Sequence, residues 1–223
     1  MFLGHFGVAF GAKRVEPRVS LGGYAFAAQF LDELWPILVL AGVEHARPAP
    51  GLMAANQIDF ISYPISHSLL MAVVWGVLIG ALYFAIRRYR RGAIVLGLTV
   101  VSHWVLDLPM HRADLPLWPG SSIVVGLGAW RSIQLTLLLD GGTFLVGLVL
   151  YLRASRARDR VGSWALWALV VLLVAVFLGG TLGPPPPTVR TIAMSALSLW
   201  LVVLWMFWID RHRVMLAQTN PQR

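Results

Sequence analysis

Apolar residues fall into six long runs along the 223-residue chain, separated by arginine-rich or proline- and glycine-rich stretches. A helix needs about 20 apolar residues to cross about 30 Å of hydrocarbon, and each run is close to that length. The pattern therefore predicts an all-α integral membrane fold with six transmembrane helices. The predicted spans are residues 21–43, 64–86, 92–110, 132–152, 161–182 and 189–209.

A seventh apolar run, residues 1–12, is too short to span and is followed by Lys13 and Arg14. A secretory signal peptide has the reverse order, with its basic residues first. We therefore expect a short N-terminal helix that dips into the membrane. Because no polar stretch is long enough for a soluble domain, we predict a single membrane domain over residues 1–223. Its candidate site lies in residues 1–150, and the helices in residues 161–210 are expected to be structural.

The composition supports this class, since 58% of the residues are hydrophobic and only 13% are charged. A net charge of +8 is also typical of nucleic-acid-binding proteins. Here the basic residues form short runs between apolar segments, where they act as topology signals, so we predict no nucleic-acid partner. The chain has no cysteine, which excludes disulfides and thiolate metal ligands.

The basic residues also predict an orientation. With six spans, fourteen of the 18 lysines and arginines lie on one side of the membrane. The other four are Arg47, Arg112, Arg131 and Arg190. Because basic loops stay in the cytoplasm, we predict a multi-pass protein of the inner (plasma) membrane with both termini cytoplasmic. The loops 43–63 and 111–131 then face outward.

Ionisable side chains inside hydrocarbon are costly, so each of them requires a reason. The predicted membrane segments contain His5, Asp32, Glu33, His67, His103, Asp107 and Asp140. At about 1.5 Å of rise per residue from the flanking basic residues, these groups fall in one band from the membrane centre to its outer half. A shared depth predicts that they form a common site.

The strongest local motif runs from Ser102 to His111. His103 and Asp107 are four residues apart and therefore share a helix face, where imidazole nitrogen and carboxylate oxygen form a metal-binding pair. Pro109 is expected to end or kink the helix and to turn His111 away. The alternative interpretation is an Asp–His hydrogen bond that joins two helices.

A second motif places His67 between two hydroxyls, Ser66 and Ser68, in the first turn after Pro64. The two serines are candidates for orienting the imidazole or for binding a substrate phosphate. His111 is the third candidate substrate contact. The alternative is that Ser66 caps the helix and His67 is merely interfacial.

The remaining acids suggest proton transfer. Asp32 and Glu33 are neighbours and point about 100° apart on a helix, so one can bind metal while the other lines a cavity or acts as a base. Asp140 precedes two glycines that permit close helix approach, and it is the second candidate base. A buried partner for an arginine or histidine is the alternative for Asp140. In the outer loops, Asp59 and Asp114 are expected to be solvated.

Together these motifs resemble the YdjM-like family of predicted membrane-bound metal-dependent hydrolases, some of them LexA-regulated. The resemblance rests on His5 near the start, an acid in the next helix, Ser66-His67-Ser68 and His103-x-x-x-Asp107, and it covers about residues 1–150. Tyr63-Pro64 stands where the family has His-Arg, and residues 32–36 match its Pro-Asp-x-Asp motif loosely. The resemblance implies a membrane metal site with hydrolytic activity.

We therefore predict a membrane-embedded hydrolase that acts on a lipid or lipid-linked phosphoester or ester and uses a divalent metal, zinc before manganese or iron. The predicted metal ligands are His5, Asp32, His67, His103 and Asp107. Glu33 or Asp140 is the predicted general base. Membrane lipids are expected partners, and the sequence indicates no oligomeric state. Two alternatives stay open: a proton- or ion-coupled transporter or channel, and a non-catalytic assembly protein whose buried polar groups join helices.

Overall fold

A computed structural model describes residues 1–216, most of which are helical. The first half contains α1 (Leu3–Val15), α2 (Leu21–Leu40), α3 (Pro64–His67), α4 (Leu69–Arg87) and α5 (Arg90–Met110). The second half contains α6 (Ile133–Thr136), a π-helical turn (Leu137–Gly141), α7 (Gly142–Ala154), α8 (Arg160–Leu182), α9 (Val189–Ala196) and α10 (Leu199–Arg211). The predicted helical membrane class is therefore correct.

Five segments of the described chain are long and apolar enough to cross a membrane. They are residues 69–87, 90–110, 133–154, 160–182 and 189–211, and they correspond to five of the six predicted spans. The sixth, α2, has 20 residues but does not reach the same hydropathy. Gln29, Asp32 and Glu33 interrupt its apolar sequence.

Three predicted spans are interrupted rather than continuous helices. Ser68 is extended and caps α4 by accepting from the N–H of Met71, so His67 lies on a separate helical turn. The π-helical turn interrupts the span from 133 to 154 at Asp140. The last span is interrupted by a turn between α9 and α10, where Ser198 Oγ donates to the carbonyl of Ser195. Hydrophobicity alone does not reveal these breaks, because each apolar run continues through them.

Short strands occur in the loops, which the all-α prediction did not include. β1 (His45–Pro48) pairs with β2 (Ile58–Ser62), and β3 (Leu115–Pro116) pairs with β4 (Val124–Val125), both antiparallel. β5 (Ser155–Ala157) pairs with β6 (Arg213–Met215), far along the chain. Such pairing depends on the helices that bring the strands together, so local sequence does not predict it.

The contacts between loops show which loops lie at the same end of the helix bundle. At one end β5 meets β6, and the carboxylate of Glu16 contacts Tyr89 and Arg91. At the other end lie β1 and β2, and Gln57 Nε2 donates to the carbonyl of Gly183. This grouping agrees with the partition predicted from the basic residues, of which Arg223 lies outside the described residues.

Helix α1 lies inside the bundle, packed against α2, α5 and α7. Its contact with α7 is a backbone contact: a Cβ atom on Gly147 would lie 1.9 Å from the carbonyl oxygen of Gly7. Small residues allow such close helix approach in membrane proteins. The contact fixes the position of α1 along α7, and with it the position of His5, which is buried.

Candidate functional site

The carboxylate of Asp107 lies among four buried histidines. Its Oδ1 is 3.2 Å from Nε2 of His5, and its Oδ2 is 3.2 Å from Nε2 of His103. The Nε2 atoms of His67 and His111 are 3.9 Å and 3.8 Å from Oδ2. Three separate helices, α1, α3 and α5, bring these groups together. The prediction that His5 reaches the acid cluster agrees with this arrangement.

Asp32 on α2 completes the cluster. Its Oδ1 is 3.3 Å from Nε2 of His67 and 3.7 Å from Nε2 of His103. The Asp32 side chain is 27% exposed, whereas the side chains of His67 and Asp107 are only 4% and 2% exposed. The cluster is therefore most accessible on the Asp32 side.

The spacing of these atoms suits a divalent ion. Bonds of 2.0–2.2 Å in a tetrahedral zinc site place neighbouring ligand atoms about 3.3 to 3.6 Å apart. Four separations among Asp32 Oδ1, His67 Nε2, His103 Nε2 and Asp107 Oδ2 run from 3.2 to 3.9 Å. Two overlapping ligand groups share His103: one with Asp32 and His67, the other with His5 and Asp107.

Unpartnered nitrogen atoms support the same interpretation. Within residues 1–216, the buried Nε2 atoms of His5 and His103 each lie 3.2 Å from an oxygen of Asp107, but neither contact has the geometry of a hydrogen bond. Leaving a buried polar atom unsatisfied costs about 1–3 kcal/mol. A metal ion at this position would satisfy the nitrogen of His103 and would add positive charge beside Asp32, whereas Asp107 Oδ1 already pairs with the N-terminal ammonium of Met1. The residues present therefore fit a divalent ion.

The second ring nitrogen of two of the histidines predicted as ligands has a partner of its own. Nδ1 of His103 is 2.7 Å from the carbonyl oxygen of Ala28. Nδ1 of His67 is 2.7 Å from Ser66 Oγ. Histidines that bind metals use the other ring N–H in this way, which directs the lone pair of Nε2 towards the metal. His5 differs, because its ring stacks on His103 with 3.7 Å between centroids and its Nδ1 has no hydrogen-bond partner among the described residues.

His111 does not turn away, and that prediction was wrong. Helix α5 continues through Pro109 to Met110, and the N–H of His111 bonds the carbonyl of Asp107 at 2.9 Å. A proline can bend a helix without ending it. The imidazole of His111 therefore remains on the same side of the helix as Asp107. His111 is only 2% exposed.

Asp114 and Asp59 are held by partners instead of being solvated, contrary to expectation. Asp114 lies 3.0 Å from Nδ1 of His111 and accepts hydrogen bonds from Tyr63 Oη and Arg112. Burial opposes ionisation of Asp114, but these hydrogen bonds outweigh it and hold the pKa of the carboxyl below its ordinary value. Asp59, which is buried, pairs with Arg47 and Arg112. A chain of hydrogen bonds and ion pairs thus runs from His111 through Asp114, Arg112 and Asp59 to Arg47.

The two serines beside His67 have defined partners. Ser66 Oγ lies 2.6 Å from Oε2 of Glu44 and 2.7 Å from Nδ1 of His67. Ser68 caps α4. The two serines were predicted either to orient the imidazole or to bind a substrate phosphate. The contacts of Ser66 favour orientation of the imidazole, and the hydroxyl of Ser68 caps α4.

Neither candidate base is bonded to the predicted metal ligands within residues 1–216. Asp140 accepts hydrogen bonds from the N–H groups of Phe2 and Gly4 at 2.9 Å and 2.6 Å, which is how a carboxylate caps a helix N-terminus. Glu33 is fully buried, and neither of its oxygens has a hydrogen-bond partner within residues 1–216. In that part of the chain, no hydrogen bond or ion pair joins either carboxylate to the predicted ligands.

Sequence reasoning missed Glu44 altogether and gave Tyr63 no role in the site. Asp114 had a signal, because it follows His111 by three residues, the spacing of neighbouring side chains on a helix. Glu44 had none, since 22 residues separate it from its partner Ser66. Only the packing of α2 against α3 brings them together.

The sequence matches the model of a protein family described as YdjM inner membrane protein over residues 4–182. The match includes all five predicted ligands, and it extends beyond the motifs to the last residue of α8. The family resemblance of the motifs is thereby confirmed. Among curated proteins and among solved structures, no significant match is found.

Proposed function

Since this chain belongs to the YdjM inner membrane protein family, we propose that it is a membrane-embedded, metal-dependent hydrolase. One observation carries the proposal: two histidine nitrogens and two carboxylate oxygens converge at the spacing of metal ligands. Asp32, His67, His103 and Asp107 would hold the ion. Imidazole with carboxylate favours zinc, with manganese or iron as alternatives.

A divalent ion bound there would polarise the scissile group of a substrate and make water a better nucleophile at neutral pH. The residues of the chain prepare the site for this chemistry. The histidines are buried, and the more exposed Asp32 marks the side from which we expect substrate to enter. His5 packs on His103 and fixes the plane of its ring.

We propose that Asp140 caps the N-terminus of α1 and does not act as the general base. Both of its oxygens accept amides at the start of that helix, which carries His5. Glu33 lies one residue after Asp32 and so points to another face of α2. Its stripe of α2 includes Phe26, whose ring contacts Trp200 of α10. To act as a base, Glu33 would therefore have to exchange protons with the site from a different face of α2 than the one that carries Asp32.

The substrate class follows from the place of the site in the membrane. We propose that α2 is a sixth span, since its 20 residues rise about 30 Å. Helix α1, with 13 residues, rises about 20 Å and dips into the bilayer without crossing it. Because the amino group of Met1 is buried against Asp107, it is the Lys13 end of α1 and the end of α10 that we place in the cytoplasm. With that orientation, the site lies between the membrane centre and its outer half. An ester or phosphoester of a lipid or lipid-linked molecule is the substrate that can reach it.

The orientation is testable by cysteine labelling, because the native chain has no cysteine. We expect single cysteines at Pro50 and Gly120 to react with a membrane-impermeant maleimide in intact cells. Cysteines at Tyr89 and Ala157 should react only after permeabilisation. The reverse pattern would overturn the orientation and the outer-leaflet substrate.

The proposed activity is tested on protein purified in detergent without chelator. We expect about one divalent ion per chain by mass spectrometry and metal-dependent release of product from phospholipid or lipid-phosphate micelles. His45→Ala is a matched control, because His45 is an exposed histidine at the same end of the bundle. Metal-free protein that cannot rebind Zn²⁺, Mn²⁺ or Fe²⁺ would overturn the proposal. Bound metal without hydrolysis, together with ion flux in liposomes, would instead identify a transporter.

A further inference from the structure

Glu44, in the loop after α2, is a buried carboxylate outside the predicted ligand set. Its Oε1 accepts the N–H groups of Ile65 and Ser66, both at 2.8 Å. Its Oε2 accepts the hydroxyl of Ser66 at 2.6 Å. An ionised carboxylate can only accept hydrogen bonds, and Glu44 accepts three. All three donors belong to α3, the short helix that carries His67.

The hydroxyl of Ser66 transmits the effect of Glu44 to the imidazole. A serine hydroxyl has one hydrogen, and here that hydrogen goes to Glu44. Ser66 Oγ can then only accept from Nδ1 of His67, 2.7 Å away. The hydrogen of the neutral ring is therefore on Nδ1, and the lone pair on Nε2 faces Asp32 Oδ1 at 3.3 Å. Two lone pairs facing each other at this distance suit a cation between them.

We propose that Glu44 is a positioning residue: through Ser66 it fixes the tautomer of His67 in which Nε2 is free to bind a divalent ion. Metal binding by Nε2 rests on the proposed function. The tautomer of His67 is independent of that function, because it is set by hydrogen bonds within the protein and can be measured without metal.

An isosteric substitution should reverse the relay. In Glu44→Gln, the two backbone N–H groups require the amide oxygen at the position of Oε1. The amide NH₂ group then faces Ser66 Oγ and donates to it. Ser66 must in turn donate to Nδ1 of His67, which moves the ring hydrogen to Nε2. A hydrogen on Nε2 blocks that atom as a metal ligand.

The experiment uses the full chain in detergent with ¹⁵N-labelled histidine. Long-range ¹⁵N–¹H spectra of metal-free protein distinguish the two tautomers, and loss of a signal in His67→Ala assigns the ring. We expect hydrogen on Nδ1 in the wild type and on Nε2 in Glu44→Gln. Zn²⁺ affinity, measured by competition with a chelator, should fall about 10–100-fold in Glu44→Gln, the usual range for losing such a partner.

Ser66→Ala serves as the matched control, because it removes the relay without reversing it. We expect mixed tautomers and a smaller loss of Zn²⁺ affinity than in Glu44→Gln. A wild-type His67 with its hydrogen on Nε2 overturns the inference, whether or not the variants fold. So does a Glu44→Gln variant with wild-type tautomer and affinity. If the tautomers change as expected but even the wild type binds no metal, the relay stands and the proposed function fails.

Discussion

Replacing His103 or Asp107 by alanine is expected to lower the affinity for the divalent ion by more than about 100-fold, because a ligand contributes more than its hydrogen-bonded partners do. Nε2 of His103 and Oδ2 of Asp107 are 3.2 Å apart on one face of α5. The double variant should lose little more than either single variant, since ligands of one ion are coupled. Metal content, lipid hydrolysis and thermal unfolding are measured on the same preparations.

The His45→Ala control should keep metal and activity. If the His103 and Asp107 variants are less stable but the wild type also contains no metal, the pair joins helices instead of binding an ion. Additive losses of metal affinity in the double variant would place the two side chains at different ions. That second result would overturn the shared ligand set.

Gly147→Ala is expected to displace α1 and destabilise the protein by about 3 kcal/mol, the upper part of the usual range for overpacking. The new Cβ would lie 1.9 Å from the carbonyl oxygen of Gly7 and 2.5 Å from its carbonyl carbon. Backbone atoms cannot rotate away as a side chain can, so the helix itself has to move. Because His5 is two residues before Gly7, it should leave Asp107. The melting temperature and Zn²⁺ affinity should both fall.

Gly11→Ala is the matched control on α1, since a Cβ atom there has no neighbour within 4 Å. It should be neutral or slightly stabilising, because alanine favours a helix over glycine. Equal melting temperatures for the Gly147→Ala and Gly11→Ala variants would show that the α1–α7 contact is looser than described.

The sequence by itself determined the properties that depend on local repetition. Apolar runs of spanning length identified the membrane class and five spans, because a helix must satisfy its own backbone in hydrocarbon. The four-residue spacing of His103 and Asp107 placed them on one face, because a helix has a fixed period. Counting residues from basic flanks placed His5 and Asp32 in one band of depth, because the helical rise is fixed.

Only the tertiary structure decided which groups touch. Glu44 reaches Ser66 across 22 residues, and Tyr63 reaches His111 across 48. Neither separation has a period that sequence could reveal. The end of α5 was also decided by packing, since His111 remains beside Asp107 despite Pro109. Partners of this kind depend on how whole helices pack against each other, and that packing is a sum of many weak contacts that no short motif records.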